Sequence, residues 1–245
     1  MWTFFHKLGS PRWYYQMSGR WLPWLSILAV ALMLTGAIWG LAFAPPDFRQ
    51  GNSYRIIFIH VPASMLSMAC YMLMAIAAGI FLIWRMKLAE VAMRCCAPIG
   101  AALTFIALLT GSVWGKPTWG TWWVWDARIT SVLVLFFLYL GVLALYEAFE
   151  NTESASKASA VLSLVGSVNV PIIYWSVEWW YSLHQPATIK FTEKSTIHPE
   201  MFYPLLTMIV GFYCFFAVLL ILYTRNEILW RERKTRWVKE LFIES

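Results

Sequence analysis

Charged side chains are scarce in this sequence. Asp, Glu, Lys and Arg supply 13% of its 245 residues, about half of their usual share in soluble proteins. Hydrophobic residues supply 60%, more apolar surface than a soluble domain of this size can bury. The composition therefore excludes an ordinary soluble enzyme and predicts one all-α membrane domain over residues 1–245.

Several motifs are absent as well. No C-x-x-C-H motif occurs, so the chain does not attach haem through its own cysteines. No G-x-x-x-x-G-K-[ST] loop occurs, which excludes ATP hydrolysis of the P-loop type. The four cysteines lie within or beside long apolar runs, which argues against an extracytoplasmic disulfide or thiol relay. They are Cys70, Cys95, Cys96 and Cys214.

Long uncharged runs are what the sequence has instead. Each is near the roughly 20 residues that cross about 30 Å of hydrocarbon. They predict six transmembrane helices, at residues 22–44, 56–84, 95–113, 129–146, 161–177 and 203–223. The first run is longer than the apolar core of a secretory signal, so we expect it to be a retained helix.

Lys and Arg residues predict the orientation of these helices. When six spans alternate, most of the 19 Lys and Arg fall on the side of the two termini, with a dense group after the last span. The positive-inside rule then places both termini in the cytoplasm. Asn169 beside Pro171 is the main polar interruption within a span, and it favours a helix-packing contact over a transport site.

Tryptophan is concentrated in one outer segment, residues 114–128. Trp119, Trp122, Trp123 and Trp125 fall within seven residues, with Trp114 just upstream. An aromatic belt explains one or two tryptophans at a helix end, but not four together. If the segment is a short interfacial helix, positions 119, 122, 123 and 126 share one face. Such a surface suits a large planar apolar ligand.

Two histidines lie on the same outer side. His60 is at the outer end of the second span, and His184 follows the fifth span. Neutral imidazole is a usual axial ligand of haem iron, and two of them can hold a porphyrin from opposite faces. Each histidine alone could instead be a packed interfacial residue or an ordinary loop residue. Together with the tryptophans, the two histidines favour the hypothesis that both are haem ligands.

Nearby charged residues have two possible roles each. Arg55 and Arg128 could bind the haem propionates, or anchor helix ends by reaching the headgroups. Asp126 could orient a ligand or partner, or cap the fourth span. Glu178 could pair with an arginine.

The run WGTWWVWDARIT at residues 119–130, with His60 and His184 in a six-span chain, resembles the haem-handling proteins that share a WWD domain. Within them the chain resembles the CcmC family, haem exporter protein C of bacterial cytochrome c maturation. The resemblance implies a protein of the bacterial inner membrane that holds haem b at its periplasmic face. His60 and His184 would be the axial iron ligands. The platform beneath the haem would consist of Trp114, Trp119, Trp122, Trp123, Trp125 and Asp126.

Partners follow from the same resemblance. The haem would be presented to the periplasmic chaperone CcmE, which becomes covalently linked to it. Asp47, Gln50, Arg55 and Glu178 would assist in chaperone docking. The small membrane subunit CcmD and the ABC transporter subunits CcmA and CcmB would complete the complex. The resemblance leaves open whether this chain promotes the covalent step or only positions the reactants.

Three other functions remain open from the residues alone. A transporter of haem or another small molecule would need polar or broken helices at mid-membrane, for which Asn169 and Pro171 are the only candidates. A transmembrane b-type cytochrome would need ligand pairs at both depths, and His6 is the only inner-side histidine. A purely structural subunit leaves the tryptophan cluster and the paired histidines unexplained.

Overall fold

The computed structural model describes residues 9–180, 182–185 and 197–243, which leaves out His6. Within these ranges every regular element is helical. The α-helices are α1 (Pro11–Ile38), α2 (Ile57–Trp84), α3 (Lys87–Trp119), α4 (Ala127–Ala148), α5 (Thr152–Gly166), α6 (Asn169–Trp179), α7 (Pro199–Arg231) and α8 (Arg236–Ile243). A π-helical turn, Trp39–Phe43, extends α1, and a 3₁₀ turn, Asn52–Ile56, leads into α2.

Six helical segments are long and apolar enough to cross a membrane. They are Pro11–Phe43, Asn52–Trp84, Lys87–Trp119, Ala127–Ala148, Thr152–Trp179 and Pro199–Arg231. The number and order of the predicted spans are therefore confirmed, and the chain is a multi-pass membrane protein. An even number of crossings brings the start of α1 and the end of α7 to the same end of the bundle, where Arg225 lies 3.7 Å from the centre of the Tyr15 ring. We call this the terminal end, and the opposite one the tryptophan end.

The centre of the bundle is formed by α2, α3 and α4. The Tyr71 and Tyr139 rings meet edge to face at 4.9 Å, and the Tyr139 hydroxyl donates to the Ser67 carbonyl at 2.7 Å. Gly100 of α3 lies directly against the Tyr139 ring, where any larger side chain would overlap it. Close helix approach through a small residue is common in membrane bundles, and here it makes room for a large aromatic core.

A buried charged group joins three helices near the terminal end. Glu90 of α3 is 4% exposed and pairs with Arg231 of α7. It also accepts a hydrogen bond of 2.7 Å from Ser156 of α5. Glu227 bridges the same Arg231 and Arg94. This network was not predicted from the sequence, and it compensates the charge of a carboxylate that is shielded from water.

The end of the third span needs correction. It was predicted at residue 113, but α3 runs on to Trp119. It ends at Gly120, whose φ of 80° is easily adopted only by glycine. Residues 120–126 have no helix, so the expected helical face at 119, 122, 123 and 126 does not form. The run of aromatic and β-branched residues after Gly120 is a poor helix former.

The fifth span is broken between α5 and α6, at residues 167–168. Just after the break, the side-chain amide of Asn169 donates a hydrogen bond of 2.9 Å to the Ser131 carbonyl of α4. The predicted packing role of Asn169 is therefore confirmed, and this polar side chain is already used between helices.

Candidate functional site

His60 is held in the first turn of α2 by residues of α3. Its Nδ1 lies 3.0 Å from the Thr110 hydroxyl. That hydroxyl donates its own proton to the Ile106 carbonyl at 2.6 Å, so it can only accept from the imidazole. The proton of neutral His60 is therefore on Nδ1, and Nε2 carries the lone pair that can bind a metal.

Two further residues of α3 fix the His60 ring. The Trp114 ring meets it edge to face at 5.7 Å between centres. At Gly111 a Cβ atom would lie 3.0 Å from the ring carbon Cε1, so the absence of a side chain there leaves room for the imidazole. Trp114 in turn donates from Nε1 to the Gln50 side chain at 2.7 Å, which ties the loop before α2 to this face.

His184 approaches the same place from the segment 182–185. Its Nδ1 lies 2.9 Å from the Gln185 carbonyl, which can only accept, so this histidine too carries its proton on Nδ1. The Trp119 ring lies 6.3 Å from the imidazole. Burial lowers the pKa of His184 below its ordinary value, and the positive charge of Arg128 lowers it further. At neutral pH the ring is therefore in the neutral form that binds metals.

The two imidazole rings lie close together. Their ring centres are 6.4 Å apart and their planes are inclined by 33°. A metal–nitrogen bond of about 2 Å on each side, with roughly 1 Å from nitrogen to ring centre, requires about 6 Å for an ion held between two imidazoles. The observed separation agrees with that value. Two neutral imidazoles with free Nε2 atoms can therefore serve as a pair of axial ligands without large movement.

The tryptophan segment is only partly helical. Trp114 and Trp119 belong to the last turns of α3, whereas Trp122, Trp123 and Trp125 follow it in an irregular stretch. The Ser112 hydroxyl fixes that stretch by donating to the Trp122 carbonyl at 2.7 Å.

The indole rings of this stretch differ in exposure. Trp122 and Trp125 are 55% and 74% exposed, which leaves broad aromatic surface for a ligand, a lipid or a partner. Trp123 is half-buried and stands edge to face with Trp125 at 5.5 Å. Its Nε1 is buried and has no hydrogen-bond partner in the part of the chain that the structure describes. A buried donor without a partner is costly, and it marks a place where a ligand acceptor would be stabilised.

The two carboxylate oxygens of Asp126 accept hydrogen bonds from two different residues. One oxygen accepts from the Ile129 amide at 2.8 Å and caps the start of α4, which confirms the capping alternative. The other accepts from the Ser182 hydroxyl at 2.5 Å. Ser182 in turn accepts from the His184 amide at 3.1 Å. Asp126 thus connects the tryptophan segment to the segment that bears the second histidine.

The two arginines, Arg55 and Arg128, differ in which guanidinium N–H groups are already used in hydrogen bonds. Arg55 is engaged with Asn52 and with the carbonyls of Gly40, Leu41 and Ala44, so it closes the π-helical turn after α1. Arg128 uses Nε on Ser176 and Nη2 on the Tyr174 carbonyl, which leaves the Nη1 protons to donate elsewhere. Of the two, Arg128 is better placed to meet an anionic ligand group.

The remaining predicted residues lie around the rim. Asp47 accepts from the amides of Arg49 and Gln50 at 2.9 and 2.8 Å and so shapes a tight turn before α2. Glu178 is exposed on α6 and forms no ion pair among residues 9–180, 182–185 and 197–243. Sequence reasoning missed Thr110, Gly111 and Ser182.

Comparison with known proteins assigns the chain to a family. The family model for CcmC, described as heme exporter protein C, matches residues 4–239. A protein of Escherichia coli strain K12 named heme exporter protein C is 52% identical, covering all of this chain and 98% of its own. A protein of the same name from Haemophilus influenzae is 47% identical, with 98% of each chain covered. One from Bradyrhizobium diazoefficiens is 48% identical over 91% of this chain and 85% of its own.

The chain belongs to the CcmC family. The CcmC match contains every residue of the site described above, from Asp47 to His184. The resemblance that the tryptophan motif and the two histidines indicated is thus confirmed at the level of family. The relatives carry a name that refers to haem, and the paired imidazoles of this chain are of the kind that binds haem iron.

Proposed function

We propose that this protein binds haem b at the periplasmic face of the bacterial inner membrane and presents it to the haem chaperone CcmE for covalent attachment. The observation that carries the proposal is the separation of 6.4 Å between the rings of His60 and His184, each with Nε2 free to bind iron. Haem is the cargo in this function, and the two imidazoles would supply its axial ligands.

The surroundings support haem as the ligand of that pair. Trp114 and Trp119 each contact one of the two histidines, and the exposed rings of Trp122 and Trp125 offer apolar surface for a flat macrocycle. The free donors of Arg128 suit a propionate, and the unpartnered Nε1 of Trp123 suits a second acceptor on the ligand.

CcmE would approach from the exposed side of the tryptophan end. Gln50 connects the first loop to Trp114, so contacts at Asp47, Gln50 and Arg55 are transmitted to the haem platform. Glu178 is exposed on the neighbouring helix α6 and interacts electrostatically with Arg128. CcmD, CcmA and CcmB would complete the assembly, and an ABC transporter subunit would supply ATP hydrolysis, since this chain has no P-loop.

The positive charge at the terminal end supports the orientation. The last turn of α7, the residues that follow it and the first residue of α8 include Arg231, Arg233, Lys234 and Arg236. Lys and Arg near membrane helices are retained on the cytoplasmic side, which would direct the tryptophan end to the periplasm.

An absorption spectrum of the detergent-purified protein tests the proposal. The wild-type protein, produced in haem-replete cells, should show a six-coordinate bis-imidazole spectrum. His60→Ala and His184→Ala should each weaken that signal, and added imidazole should restore it. His198→Ala is the matched control, because His198 is an exposed histidine at the start of α7 whose Nδ1 lies 4.0 Å from Glu200. A haem-free wild type would refute the proposal and leave transport of another small molecule as the function to test.

A further inference from the structure

The two histidines are held in very different ways. His60 lies on a helix of the central bundle, and Thr110, Gly111 and Trp114 contact its ring from a second helix. His184 lies in the short segment 182–185, outside any helix. If His60 shifts, two packed helices must move, whereas His184 can move with a few residues of loop.

One hydrogen bond ties the segment of His184 to the remainder of the described chain. The Ser182 hydroxyl donates to Asp126, and no other hydrogen bond joins residues 182–185 to residues 9–180 or 197–243. Asp126 is 9% exposed and is itself fixed by its cap on α4. The acceptor is therefore rigid and shielded from water, and a hydrogen bond to a carboxylate is stronger than one between two hydroxyl or amide groups.

The same hydroxyl also orients the peptide of the ligand. With its proton committed to Asp126, the Ser182 oxygen accepts from the His184 amide at 3.1 Å. The backbone of His184 is thus fixed relative to Asp126 through a single atom. The Gln185 carbonyl then fixes the tautomer of the ring, as described above.

We infer that Ser182 is a positioning residue for His184, and that its hydrogen bond to Asp126 decides how firmly the second imidazole is held. His184 is the displaceable ligand of the pair, and His60 is the fixed one. Asp126 accordingly acts on the ligand through Ser182 and not by contact with it. The role of Ser182 in haem release rests on the proposed function, but the hydrogen bond between Ser182 and Asp126 can be tested without haem.

The first test uses haem-free protein in detergent. Ser182→Ala should raise amide hydrogen exchange in a peptide covering residues 182–185 by about tenfold or more, the factor expected for one lost hydrogen bond to a charged group. Ser182→Thr keeps the hydroxyl and should exchange like the wild type. Ser26→Ala is the matched control, because the Ser26 hydroxyl only bonds the Leu22 carbonyl of its own helix. Unchanged exchange in Ser182→Ala would overturn the inference.

The second test uses haem-loaded protein and an excess of a soluble apo haem-binding protein as acceptor. Ser182→Ala should lose haem about tenfold faster than wild type, and imidazole should restore its six-coordinate spectrum. In a His184→Ala background, Ser182→Ala should have no further effect on the loss rate, because its action passes through that ligand. An equal acceleration in both backgrounds would overturn the inference.

The outcomes also separate this inference from the proposed function. If the wild type binds no haem, the function fails, while hydrogen exchange still decides whether Ser182 holds the segment. If the wild type binds haem and Ser182→Ala retains it as firmly, the function stands and the positioning role of Ser182 is wrong.

Discussion

Replacing Thr110 with valine should loosen the fixed histidine without removing it. Valine has nearly the shape of threonine but cannot accept the hydrogen bond of 3.0 Å from Nδ1 of His60. The Nδ1 proton would then lose its partner in a site packed by Gly111 and Trp114. A partner on the distal nitrogen of a metal-bound histidine fixes the ring and raises its basicity.

The expected decrease in haem affinity can be estimated from the loss of this hydrogen bond. Removing such a partner typically weakens metal binding by about 10- to 100-fold, which corresponds to about 1.4 to 2.8 kcal/mol. Both ends of this range agree with the cost of about 1 to 3 kcal/mol for a buried donor left without an acceptor. We therefore expect Thr110→Val to lose haem at least about tenfold faster than the wild type.

A midpoint potential separates this mechanism from simple loss of stability. A less basic imidazole stabilises ferric iron less, so the potential of the bound haem should rise in Thr110→Val. Thr110→Ser restores the hydroxyl and should return both the potential and the haem loss rate toward the wild type. Thr207→Val is the matched control, because the Thr207 hydroxyl only bonds the Tyr203 carbonyl of its own helix. Wild-type potential and wild-type haem retention in Thr110→Val would refute the reasoning.

Three further substitutions test other parts of the structure. Gly111→Ala should displace the His60 ring, since the new Cβ would lie 3.0 Å from the ring carbon Cε1. The bis-imidazole fraction in the absorption spectrum should then fall, while the melting temperature changes little. Gly100→Ala should instead destabilise the bundle by a few kcal/mol, because the methyl group overlaps the buried Tyr139 ring, and thermal unfolding in detergent should show it. Glu90→Gln should lower thermal stability by about 1 to 3 kcal/mol, because it removes a buried carboxylate that pairs with the half-buried Arg231, which keeps Glu227 as a partner. The haem spectrum should stay unchanged.

The architecture could be predicted because hydropathy alone determines which segments enter a membrane. The limits of the helices could not, since hydropathy does not report where a helix stops outside the hydrocarbon. α3 continues two residues past Pro117 and ends where Gly120 supplies a positive φ. The break at residues 167–168 comes just before Pro171, which is tolerated in the first turn of α6, whereas the hydrogen bond of Asn169 to a carbonyl of α4 could not be predicted from the sequence.

The site was only partly predictable for a related reason. His60, His184 and the tryptophans are rare residue types in an unusual place, so composition and spacing identify them. Thr110 and Ser182 are common hydroxyl residues, and only their contacts give them a role. One signal was available for Thr110: it lies four residues before Trp114 and next to Gly111, so all three fall on one side of α3. No comparable pattern points to Ser182.

A protein that hands over its ligand must hold it in a defined place and still let it go. If both imidazoles were fixed as His60 is, an acceptor would have to break two rigid contacts at once. In the proposed function, the ligand on the packed helix would keep the iron in position while the ligand on the short segment is replaced by one from the acceptor. The hydrogen bond between Ser182 and Asp126 would then set the balance between haem retention and haem transfer, because a stronger hydrogen bond favours retention.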